Sequence, residues 1–61
     1  MKRRDLEKHL RAHGCELIRH GARHDVWANQ NNAGQSAVPR HAEIATPTIR
    51  AICKALGIPM P

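Results

Sequence analysis

Hydrophobic positions along the 61-residue chain follow two rhythms. Residues 3–13, RRDLEKHLRAH, place Leu6 and Leu10 four apart among charged neighbours, which is the spacing of one helical face. Asp5/His9 and Glu7/Arg11 stand at i, i+4, where opposite charges support a helix. Gly14 follows, where a left-handed stop is expected. Residues 15–20, CELIRH, carry Leu-Ile without helix-length periodicity and predict a strand. Gly21-Ala22-Arg23 turns the chain into a second strand, His24–Asn29. Asn31-Asn32-Ala33-Gly34 is a loop by composition, and Gln35–Val38 is a short third strand closed by Pro39. Arg40–Ala45 is a connector. Thr46-Pro47 supplies an N-cap followed by proline at the first helical position. Residues 47–56, PTIRAICKAL, then set Ile49, Ile52, Cys53 and Leu56 on one stripe, and Gly57 ends the helix.

The order α-β-β-β-α predicts an α+β fold, a three-stranded antiparallel sheet with two helices on one face. Residues 1–61 are too few to divide into two cores, so one domain is expected. A three-stranded meander is not stable alone, and both apolar stripes should cover the same face. The other face is then open. Strand alternation decides which side chains go where. Trp27 is the only aromatic residue of the FWY set, and a core this small needs its area, so the core claims it ahead of base stacking. Turning Trp27 inward takes Asp25 and Asn29 with it and leaves His24, Val26 and Ala28 on the open face. On the first strand Cys15 and Leu17 join the core. Strict alternation leaves Ile18 on the open or edge side, against its hydrophobicity.

Charge narrows the partners. Ten Lys+Arg against five Asp+Glu give a formal charge of +5, with a pI near 10.3. Such a surplus favours a polyanion, either nucleic acid or an acidic protein. Arg3, Arg4, Lys8 and Arg11 make the first helix basic, as a solvated face or as phosphate contacts along A-form RNA. Arg50 and Lys54 extend that surface or meet an acidic partner. Cys15 and Cys53 fall at apolar positions and read as buried thiols of a reducing, cytoplasmic protein. The charged start Lys2-Arg3-Arg4-Asp5 leads into no apolar run, so neither a secretory signal nor a membrane span is expected. His9 and His13 have a zinc-compatible spacing, but completing the site would take the cysteines that the core requires. No metal or cofactor is expected.

Candidate chemistry lies at the hairpin. In an antiparallel meander the end of strand one, the start of strand two and the end of strand three meet at one edge of the sheet. Arg23, His24, Arg40 and His41 should gather there, with His20 closing the preceding strand. Imidazole as a type titrates near pH 6.5. Placed beside a ribose 2′-OH it can take the proton, while arginine or lysine stabilises the charge that builds on the attacked phosphate. No metal is required by that chemistry. The plainer reading is a histidine that caps a turn or only touches phosphate. That reading gives a non-catalytic RNA-binding module, or a small regulatory protein whose basic surface meets an acidic partner.

Three segments, GARHDVW (Gly21–Trp27), VPRHAEI (Val38–Ile44) and IRAICKALGI (Ile49–Ile58), follow the opening KRRDLEKHLRAHGCELIR. Together, over about residues 2–58, they resemble the HicA family of bacterial toxins. The resemblance implies a fold like a double-stranded RNA-binding domain. It also implies an mRNA-cleaving toxin of a type II toxin–antitoxin pair, held inactive by a HicB antitoxin. The family's catalytic histidine, in a Gly-Ser-His or Gly-Asn-His segment, maps onto His24. Arg23 stands where the family more often has serine or asparagine, a change that can add a phosphate contact. Arg23, Arg40, His41, Arg3, Arg4 and Lys8 are the expected substrate-binding residues.

Overall fold

The structure is a computed structural model and describes residues 1–61. Helix α1 spans Arg3–Ala12, strands β1, β2 and β3 span Cys15–His20, His24–Asn29 and Gln35–Pro39, and helix α2 spans Thr46–Leu56. The three strands form one antiparallel sheet in the order β1-β2-β3. The expected α+β arrangement is therefore present. No helix is long and apolar enough to cross a membrane.

One cluster of ten buried residues holds the elements together. Leu6 and Leu10 come from α1, Ile49, Ile52, Cys53 and Leu56 from α2, Cys15, Trp27 and Val38 from the sheet, and Ile44 from the segment between β3 and α2. Trp27 belongs to it, 1% exposed, with Asp25 and Asn29 buried on the same face of β2. The Arg11 guanidinium covers the indole at 5.2 Å from the ring centroid. Burying an indole contributes about 4–6 kcal/mol by area. Its Nε1 proton finds no acceptor, an omission costing about 1–3 kcal/mol. Burial wins, so the ring is inside in spite of its unmet donor.

Ile18 escapes strict alternation through a β-bulge. Leu17 lies opposite Trp27, but it is Arg19 that lies opposite Val26, and His20 opposite Asp25. Ile18 is the extra residue. It remains exposed, and the shift puts His20 on the same face as Asp25.

Helix ends differ from expectation in detail. Residue Ala45, not Thr46, is the N-cap of α2, with no side-chain bond, and Ile49 N–H donates to Ala45 O at 3.1 Å. Pro47 stays within the first turn, where the missing N–H has no intrahelical partner to lose. Along α1, Glu7 pairs with both Arg3 (3.6 Å) and Arg11 (3.8 Å). The expected Asp5–His9 pair does not form, because His9 Nε2 is engaged with Pro59 O at 2.7 Å. The β2–β3 loop is fixed by α2. Asn29 and Asn32 both donate their side-chain amides to Leu56 O, at 2.8 and 3.0 Å, satisfying a carbonyl that the helix end leaves free.

The connector is more structured than its composition implies. Ile44 is buried, its N–H donates to Met1 O, and Lys2 and Glu43 form an isolated antiparallel bridge. The chain's first residues and the β3–α2 connector thereby brace each other.

Replacing Trp27 by alanine should cost about 3–5 kcal/mol. Proteins of this size have only about 3–9 kcal/mol in all, so Trp27→Ala should lose its cooperative thermal transition in circular dichroism. Cys15 and Cys53 are free and buried, and burial raises both thiols from their ordinary value of 9.0, with the nearby Cys15 adding to the rise at Cys53. A raised folded-state value favours the fold fully below the unfolded-state value and less as pH climbs through the folded one. Denaturant midpoints should therefore fall as pH rises past about 9. Cys15→Ala/Cys53→Ala should flatten that fall.

Candidate functional site

The turn Gly21-Ala22-Arg23 carries the site. A Cβ on Gly21 would meet the backbone carbonyl of His24, so only glycine lets the chain close this tightly before β2. β2 opens with His24, opposite Pro39 of β3. The inward direction of Trp27 puts His24 on the opposite face, and it is exposed. None of the side-chain hydrogen bonds within the chain uses its imidazole.

Asp25, next in sequence, points the other way and organises the sheet's end. Its carboxylate, 6% exposed as a residue, accepts from His20 Nδ1 at 3.0 Å and lies 3.8 Å from Arg40 Nε. Arg40 also donates through Nη1 to Gly21 O at 3.1 Å, and its backbone N–H donates to Arg23 O at 3.2 Å. Arg3 Nη1 in turn donates to Arg40 O at 2.7 Å. The turn before His24 is thus tied to β1, to β3's end and to α1 through one buried carboxylate and two arginines. A buried carboxylate needs such partners, and they hold the backbone that carries His24.

The expected site residues divide. Arg23, His24 and Arg40 do meet at one end of the sheet, joined by Arg3. Arg40, expected over the open face, instead turns its guanidinium around the sheet end toward Asp25, because the buried carboxylate is its nearest counter-charge. His41 is exposed beside it and makes no bond to the group. Arg4 lines a separate cleft of about 320 Å³ with Lys2, Arg3, Glu7 and Glu43. Two carboxylates there offset the cations. Lys8 is exposed on α1, about 7.5 Å further along the axis than Arg3, and touches none of the cluster. His20 and Asp25 form the pair that sequence reasoning missed. Parity alone put Asp25 inward, but the bulge that brings His20 opposite it has no signature in the alternation.

His24 also borders a groove of about 470 Å³ between β3 and α2. Pro39, Ala37 and Gln35 form one side, and Thr48, Ala51 and Ala55 the other.

His9 and His13 stack with ring centroids 4.5 Å apart, and no group of three His, Cys, Asp or Glu side chains converges there or elsewhere.

A model of the family described as the HicA toxin of bacterial toxin–antitoxin systems matches residues 3–58. No curated protein and no solved structure matches the chain significantly. The fold and the family match define a toxin of a bacterial toxin–antitoxin pair, whose partner is an antitoxin. The chain belongs to the HicA toxin family.

Asp25→Ala should destabilise the protein by about 1.5–3 kcal/mol, the range for hydrogen bonds to a charged group. Urea unfolding measures the loss. Hydrogen exchange at the Arg40 amide, which closes on Arg23 O, should accelerate beyond the global change.

Proposed function

We propose that this toxin is an endoribonuclease that cuts mRNA, with His24 as its acid–base group. The observation that carries this reading is the exposed, unbonded imidazole of His24 beside a cationic turn, in a chain of the HicA family. RNA supplies its own nucleophile. The imidazole takes the 2′-OH proton, the oxygen attacks the adjacent phosphorus, and the 5′-oxygen leaves and takes up a proton. Charge builds on the phosphate oxygens in the transition state. In this reading Arg23, and the Arg40 donors not spent on Asp25 and Gly21, offset it. His41, Arg3, Arg4 and Lys8 extend the basic surface for the RNA backbone, in the manner of a double-stranded RNA-binding domain. The reading requires no metal or cofactor, and it places the protein in the cytoplasm with its substrate.

The antitoxin of this reading is HicB-type and seats over the His24 side of the sheet. The formal charge of +5 supports an acidic partner as well as RNA.

His24→Ala should fold like the parent and cut a defined RNA about 10²–10⁴-fold more slowly, with growth arrest lost. The assay runs in EDTA with circular dichroism as the fold control. A His24→Ala protein that still cuts at the parental rate removes His24 from the chemistry. A parent that binds RNA with steep salt dependence yet leaves no cut ends is the non-catalytic binding module instead.

A further inference from the structure

The groove beside His24 differs in character from everything else near it. None of its nine lining residues is Lys, Arg, Asp or Glu, in a chain where a quarter of residues are charged. Its walls are apolar, from Pro39 and Ala37 on the strand side and Ala51, Ile52 and Ala55 on the helix side. Three neutral side chains capable of hydrogen bonding border it, those of Gln35, Ser36 and Thr48. The Ser36 hydroxyl donates to Ala37 O at 3.1 Å and keeps acceptor capacity, whereas Gln35 and Thr48 side chains make no bond within the chain. No lysine or arginine lines it; at the sheet end Arg23 closes the turn and Arg40 bonds to it. His24 stands between the two regions.

An RNA strand has the same division. Its phosphates are anionic, and its bases are flat, uncharged and edged with donors and acceptors. We propose that the groove between β3 and α2 is a nucleobase subsite, holding one unpaired base next to the scissile phosphate and setting which sequences are cut. The proposal rests on the RNA-cleavage reading of His24 and names the recognition element of that site. With phosphate against Arg23 and Arg40, the adjoining base reaches past His24 and Pro39 into the only uncharged hollow beside them. Apolar walls take the faces of the base, and Gln35 and Thr48 meet its edges. An amide both donates and accepts, so Gln35 is suited to a base edge that does the same.

The test has two arms. Wild type, Ala51→Leu, Gln35→Ala and Thr48→Val act on a randomised single-stranded RNA, and the cut ends are sequenced. Ala51 is exposed on the helix, and leucine there fills the groove without disturbing the core. Wild type should show a base preference at one position beside the cut. Ala51→Leu should lower the rate at the preferred site about tenfold, the scale of losing one base contact. Gln35→Ala and Thr48→Val should change which base is preferred. The second arm measures binding of uncleavable 2′-fluoro RNA homopolymers of equal length. Wild type should discriminate among the four, and Ala51→Leu should not, with the salt dependence of binding retained.

Discrimination that disappears in Ala51→Leu while wild type makes no cuts supports the subsite and rejects the cleavage reading. A cleavage profile and homopolymer ranking identical in all four proteins overturn the subsite and leave the cleavage reading intact. If Ala51→Leu keeps its RNA profile but escapes its antitoxin, the groove is a protein contact and the proposal is likewise overturned.

Discussion

Trp27 has one place to go, and the rest of the sheet follows its direction. With this ring facing the helices, β2 must present Asp25 and Asn29 on the covered side and His24, Val26 and Ala28 on the other. The indole's area outweighs the unmet Nε1 proton that its burial leaves behind. An arginine from α1 closes over the ring, so the same contact also seats the first helix. The exposure of His24 is thus a consequence of core packing three strand positions away from it, with alternation as the link.

The two buried polar side chains of β2 share a logic. Asn29 and Asp25 lie at opposite ends of the strand, each inside the covered face, and each is satisfied by groups that would otherwise be loose. Asn29 draws the β2–β3 loop onto the end of α2 through Leu56 O. Asp25 draws β1's last residue and Arg40 onto the hairpin turn. A buried acceptor tolerates no vacancy cheaply, so each becomes a fixed point for the segments around it. At the Asp25 end the anchored segment is the one that carries His24.

These anchors give the toxin a division of labour. At the sheet end Arg3 and Arg40 are held by bonds to backbone carbonyls, and Arg40 also by the Asp25 carboxylate. In the proposed reaction, preorganised donors of this kind lose less on meeting a phosphate than mobile side chains do. Beside them the groove along β3 is uncharged, and His24 faces both. In the proposed chemistry, one end of the three-stranded sheet carries His24, Arg23 and Arg40, and Arg4 and Lys8 lie apart from it on α1.

Element order, strand pairing by hairpins and the inward side of β2 were legible in the sequence, because each follows from local periodicity and from the single large aromatic residue. The glycines at positions 14 and 57 were legible as well, and both have positive φ. Features made by segments meeting across the fold were not. The Ile18 bulge leaves no trace in the alternation, yet it alone brings His20 opposite Asp25. Ile44 sits in a polar connector, and its burial depends on Met1 arriving from the far end of the chain. Arg40 read as a free cation until the sheet brought Asp25 within reach, and the groove exists only because α2 packs beside β3. Periodicity is a property of neighbours in sequence. Counter-charges, bulges and hollows belong to neighbours in space, and tertiary packing alone selects those.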